Sequence, residues 1–130
     1  IITKMKKEII SSNNAPAAIG AYSQAIKMDN LIFTSGQLPI NPETNEMPET
    51  IKEQTKQSLE NISSILKEAN TSLDQAIKLT VFLADINDFA EMNEAYSEFF
   101  KNAPPARSAF SVLGIPKGAK IEIECIAYIE

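Results

Sequence analysis

Apolar side chains recur along this chain with two distinct periods, and the switches between them mark out its elements. Tyr22 to Met28 and Leu31 to Gln37 are strand-like runs separated by Asp29-Asn30, a pair that tolerates the positive backbone angles of a tight hairpin. Gly36 interrupts the second run, as at a bulge, a strand end or a place where another group approaches the backbone closely. A loop punctuated by Pro39, Pro42 and Pro48 follows. Thr50, with Glu53 three residues on, has the form of a capping box. Ile51, Leu59, Ile62, Leu66 and Ala69 then recur at helical spacing, which predicts a helix over about Ile51 to Ala69. Ile77, Leu79, Val81 and Leu83 alternate with Lys78, Thr80, Phe82 and Ala84, the pattern of a short strand with one apolar and one mixed face. Asn87 is placed to cap a second helix carrying Phe89, Met92, Tyr96, Phe99 and Phe100, and Pro104-Pro105 force extended backbone after it. Two strands close the chain, roughly Arg107 to Leu113 and Ala119 to Ile129, around a turn region from Gly114 to Gly118.

This order of strands and helices predicts an α+β domain, a sheet with two amphipathic helices on one face. The other face would carry Phe82, Ile126 and Tyr128 beside Glu122 and Glu124, too apolar for open water and too charged for a dry core. A subunit interface containing a polar site reconciles the two, so an oligomer is expected. With 130 residues, 44% of them hydrophobic, the chain suits one core. One domain is expected over residues 7–130, with 1–6 a flexible start or a non-native remnant. The sequence holds no apolar run of membrane-spanning length, and its start lacks the apolar region of a signal peptide, so a cytoplasmic location is expected.

Composition narrows the chemistry. The chain has no histidine, which removes the usual general base, the Ser-His and Cys-His nucleophile pairs and the commonest zinc ligand. Cys125 is the only cysteine and alternates with Ile121, Ile123, Ala127 and Ile129, as a small buried hydrophobe would. No metal site and no disulfide framework are expected. Twelve basic against seventeen acidic residues give a formal net charge of -5, which repels a phosphate backbone, and the scattered basic residues form no stripe. The four glycines make no phosphate-cradling loop, so no nucleotide cofactor has a visible seat.

Arg107 follows a rigid Pro-Pro-Ala entry and begins a strand, a setting that delivers a guanidinium fork to a carboxylate; a surface arginine fits the same spacing. Glu122 and Glu124 share one strand face, either in a site or in solvent. Asn93 lies between Phe89, Tyr96 and Phe100, so partial burial and a tie to backbone are expected. Tyr22 and Ser35 could line a pocket or simply pack.

Taken together, Ile19-Gly20-Ala21-Tyr22-Ser23-Gln24-Ala25, Phe33-Thr34-Ser35-Gly36-Gln37-Leu38-Pro39, Pro105-Ala106-Arg107-Ser108 and Lys120-Ile121-Glu122-Ile123-Glu124 resemble the Rid (YjgF, L-PSP) family. Asp85-Ile86-Asn87-Asp88-Phe89 lies between them, and the resemblance covers essentially Lys7 to Glu130. It implies a chorismate-mutase-like α+β fold assembled as a homotrimer, with sites in the clefts between subunits. It also implies hydrolysis of 2-iminobutanoate and 2-iminopropanoate, products of pyridoxal-dependent dehydratases, to 2-oxoacids and ammonia, with no cofactor on this chain. By the same resemblance Arg107 binds the substrate carboxylate and Glu122 holds and polarises the attacking water. Tyr22, Ser35, Gly36 and Asn93 match pocket positions, with Ser108 and Ala109 following the arginine along the cleft wall. Two departures stand out: Ala109 where many members carry cysteine, which removes a thiol mechanism, and Pro104 where an aromatic residue is common. The alternatives are a single-stranded ribonuclease and translation inhibitor, or a non-enzymatic sensor or chaperone-like protein that binds a carboxylate metabolite.

Overall fold

The computed structural model describes residues 6–130, so the expectation of a flexible start or remnant at residues 1–6 lies, apart from Lys6, outside the described residues. Strands β1 (Lys7–Ile10), β2 (Ala25–Met28), β3 (Leu31–Thr34), β4 (Ala76–Leu83), β5 (Ala106–Ser111) and β6 (Ile121–Tyr128) form one sheet in the order β1-β2-β3-β6-β4-β5. All neighbours pair antiparallel except β4 and β5, which run parallel. That parallel pair requires a crossover, and helix α2 (Phe89–Ser97) lies within it; helix α1 (Ile51–Glu68) joins β3 to β4.

The predicted hairpin forms around Asp29, whose φ of 52° lies in the left-handed region that Asp tolerates. Its strands are shorter than the hydrophobic runs. The first starts at Ala25 rather than Tyr22, because the Tyr22 amide turns back to donate to the Gly20 carbonyl. The second leaves the ladder at Ser35 and Gly36, and Gln37 rejoins β6 through mutual backbone hydrogen bonds with Ile123. Gly36 therefore interrupts the strand as a bulge does.

Helix α1 begins where Thr50 Oγ1 accepts from the Glu53 amide at 3.1 Å, and Asn70, with a φ of 62°, follows its end. For the second helix the sequence pattern misplaces the cap. Asp85, not Asn87, supplies the oxygen: its Oδ1 accepts from the Asn87 amide and closes a 3₁₀ turn over Ile86–Asp88 that leads into α2. Phe99 and Phe100 lie beyond that helix, although Phe100 is buried.

One face of the sheet is dry. Leu79, Val81 and Leu83 of β4 and Ile121, Ile123, Cys125 and Ala127 of β6 pack with Leu59, Ile62, Ile65 and Leu66 of α1 and Met92 and Tyr96 of α2 in a single buried cluster. Burial pushes the Cys125 thiol up to about 12, so it stays protonated and inert. The opposite face carries Phe33, Phe82, Phe110, Ile126 and Tyr128 together with Glu122 and Glu124, the mixture anticipated from the alternation. Phe33 and Phe110 are each more than 40% exposed, and Phe110 meets Phe82 edge to face at 5.6 Å between centroids. No helix among the described residues is long and apolar enough to cross a membrane.

Candidate active site

Glu122 sits at the mixed face of β6, paired across the ladder with Phe82. Its carboxyl lies directly against Gly36: a Cβ added at that glycine would come within 2.8 Å of both Glu122 Cδ and Oε2. Partial burial, and then the neighbouring charge of Glu124, raise the Glu122 pKa above the usual glutamate value. The carboxyl opens into a cleft of about 1010 Å³ that Tyr22, Ser35, Gly36 and Lys117 also line. Tyr22 is half exposed there. Ser35 lines the cleft, and its hydroxyl donates to the Ser23 carbonyl at 2.6 Å, so its proton is committed to the backbone and the hydroxyl can serve another partner only as an acceptor.

Two contributors to this cleft escape a reading of the sequence. Gln24 is buried and holds the wall formed by residues 12–16. Its Oε1 accepts from the Ser12 amide at 2.6 Å, and its Nε2 donates to the carbonyls of Ser12 and Pro16 at 3.1 and 2.7 Å. The available signal is faint: a lone amide beside the first inward alanine of a strand. Lys117, at a φ of 60° between Pro116 and Gly118, brings a cation to the rim from what reads as an ordinary turn.

Arg107 occupies a different place. In register it pairs with Leu79, so it projects on the helix side of edge strand β5. There its Nη1 donates to Asn93 Oδ1 at 2.8 Å, and its guanidinium carbon lies 4.8 Å from the Tyr96 ring centroid and 5.5 Å from that of Phe89. Asn93 departs from expectation in both respects. It is exposed rather than partly buried, and its side chain binds Arg107 rather than the backbone, because α2 turns this position toward β5 instead of into the core. Ser108 and Ala109 alternate: Ser108 pairs with Thr80 on the Glu122 side, and Ala109 packs against the core beside Val81.

The described chain thus gathers Tyr22, Ser35, Gly36 and Glu122 into one cleft, and Asn93 and Arg107 into a second cluster that does not line it. Strand β4 separates the two. Leu79, the partner of Arg107, pairs with Cys125, three residues along β6 from Glu122, and the two side chains leave the sheet on opposite faces. With strands ~4.8 Å apart and ~3.3 Å per residue, their backbones are separated by roughly 14 Å. Among the described residues neither Arg107 nor Glu122 is in an ion pair, and no group of three or more His, Cys, Asp or Glu residues is placed to hold a metal ion.

Comparison with known proteins places this geometry in context. Residues 12–129 match the family model described as Endoribonuclease L-PSP. The chain is 55% identical over 127 residues to a RutC family protein of Pyrococcus abyssi, covering 97% of this chain and 100% of that one. It is 47% identical over 122 residues to the 2-iminobutanoate/2-iminopropanoate deaminase of Rattus norvegicus, covering 93% and 89%. Among solved structures, E. coli TdcF with bound serine superposes with a TM-score of 0.91 at 43% identity, covering 95% and 99%.

Proposed function

Because the chain belongs to the endoribonuclease L-PSP family, also called the Rid or YjgF family, we propose that it hydrolyses small 2-imino acids, 2-iminobutanoate and 2-iminopropanoate among them, to 2-oxoacids and ammonia. The observation that carries this reading is the seating of Glu122: a half-buried carboxyl of raised pKa, pressed against Gly36 in an open cleft and tied up in no ion pair among the described residues. Such a group serves as a base for water. The names of the mammalian relatives and the serine held by the E. coli neighbour both point to small amino-acid-like carboxylates.

The chemistry is undemanding. A protonated imine is already electrophilic; water held by Glu122 adds its oxygen to the imine carbon while its proton passes to the carboxylate. Glu122 returns that proton to the carbinolamine nitrogen, ammonia leaves as the C=O bond forms, and the hydroxyl proton freed in that step passes by way of Glu122 to the departing ammonia, which leaves as ammonium. Arg107 takes the substrate carboxylate through charge-assisted hydrogen bonds. Position 109 is alanine, so no thiol takes part there. The cofactor chemistry belongs to the pyridoxal-dependent dehydratase that makes the imine.

Since β4 separates Arg107 from Glu122, the site we propose lies between copies, with Glu122 and the cleft from one and Arg107 and Asn93 from the next. A homotrimer closed over the mixed sheet face supplies three such sites and covers Phe33, Phe82, Phe110, Ile126 and Tyr128. The family name suggests RNA cleavage as a second activity, but the net charge of -5 and the absence of histidine speak against it. The test is ammonia release from imines generated in situ by a threonine dehydratase. Wild-type protein should accelerate it and Arg107→Ala should not; no acceleration by the wild type contradicts the activity, and an unchanged rate in the variant removes Arg107 from its role.

A further inference from the structure

Arg107 stands on an edge strand, where a long side chain would ordinarily sweep through solvent. Instead three residues of α2 meet it. Phe89, Asn93 and Tyr96 fall at i, i+4 and i+7, one face of the helix, and all three touch the guanidinium. The Tyr96 ring is 5% exposed and is backed by Phe100 at 4.7 Å between centroids, so the surface beneath Arg107 is rigid. The Tyr96 hydroxyl is buried without a hydrogen-bond partner among the described residues, so it is the face of the ring that Tyr96 offers Arg107.

We propose that Phe89 and Tyr96 are positioning residues: with Asn93 they form a platform on α2 that fixes the plane and the rotation of the Arg107 guanidinium for a carboxylate. This deepens the reading of Arg107 as the carboxylate-binding group and rests on it. The two rings set the plane through cation–π attraction, and the Asn93 side-chain oxygen Oδ1 sets rotation within it by accepting from one of the five N–H donors. The other donors stay available to the substrate. Ordering the fork beforehand removes a rotamer cost that binding would otherwise meet. The interaction is made with substrate and transition state alike, so its loss belongs in KM rather than kcat.

Tyr96→Phe and Tyr96→Leu separate ring from bulk, and two readouts separate the platform from the function. The first is ¹⁵N NMR of the Arg107 side chain. In the wild type and Tyr96→Phe its resonances should be shifted upfield by the ring and show slowed rotation about the Nε–Cζ bond; Tyr96→Leu should lose both. The second is affinity for 2-oxobutanoate with KM for the imine: Tyr96→Leu should weaken both about five- to tenfold with kcat nearly unchanged, and Tyr96→Phe should match the wild type. Phe89→Leu repeats the comparison from the second ring should Tyr96→Leu not fold. Unchanged resonances or unchanged affinity in the leucine variants overturn the proposal, as does a loss in Tyr96→Phe equal to that in Tyr96→Leu. A wild-type protein that neither binds 2-oxobutanoate nor turns over imines defeats the carboxylate reading, and with it the purpose assigned to the platform, even where NMR finds Arg107 ordered.

Discussion

A hydrogen atom in place of a side chain at position 36 is what admits the Glu122 carboxyl beside the backbone that follows β3. Gly36→Ala would drive a methyl group into a flexible carboxylate rather than into backbone, so the fold should survive while the carboxyl is displaced. The expected outcome is a loss of at least about tenfold in kcat/KM with a stability change within about 1 kcal/mol, read by imine turnover and by denaturant melting of the same sample. The raised pKa of Glu122 also sets a pH signature. Its ionised form does the work, so activity should fall on acidification earlier than it would for an ordinary glutamate. Glu124→Gln removes the lesser of the two causes and should move that acid limb to lower pH, leaving the larger effect of burial in place. Stability runs the other way. The folded chain disfavours the ionised form, so the contribution of Glu122 is fully present below its unfolded-state pKa and is lost as pH rises through its raised folded value. Glu122→Gln should therefore be inactive yet no less stable than the wild type at neutral pH; a clear destabilisation there would refute the assigned burial. At this scale the sequence left Gly36 open between a bulge, a strand end and a close approach, and spacing did not name the group that approaches, because Gly36 and Glu122 meet only after β3 pairs with β6.

Elements were legible in proportion to how local their causes are. Helix α1 runs Ile51–Glu68 against an expected Ile51 to Ala69, since its cap and its apolar period are both written within a few residues. Thr50→Ala should cost about 1 kcal/mol in a denaturant titration by leaving the Glu53 amide without its acceptor. Strand β1 had no such signal. Its Lys-Glu-Ile-Ile run does not alternate, and it is extended because β2 offers it a partner. Asn87 looked like the cap of α2 because it precedes the apolar pattern, whereas the 3₁₀ turn before the helix moved the capping role back to Asp85. Alternation divided β6 and most of β4 into two faces, but it put Ile77 with Leu79, Val81 and Leu83, whereas a register shift between Ala76 and Lys78 leaves Ile77 42% exposed. It carried no information on whether Arg107 and Glu122 share one, since that depends on the register of both with β4.

For the whole molecule, the mixed sheet face was visible in the sequence and led to the expectation of a polar site at a subunit interface, but which residues fall in which cluster was not. Phe33, Phe82, Phe110, Ile126 and Tyr128 form an apolar surface around two carboxylates, of the kind a neighbouring subunit covers. Phe33→Glu should break the proposed trimer into smaller species in sedimentation velocity and remove activity with it, although Phe33 lies in neither cluster of site residues; an active monomer would refute intersubunit sites. The most direct measurement is complementation. Arg107→Ala and Glu122→Gln are each expected to be inactive, and unfolding and refolding them together should restore about one quarter of the wild-type activity, because random assortment in a closed ring gives that share of the interfaces an intact Arg107 facing an intact Glu122. A mixed sample as inactive as its parents would contradict a site made of Arg107 from one copy and Glu122 from the next.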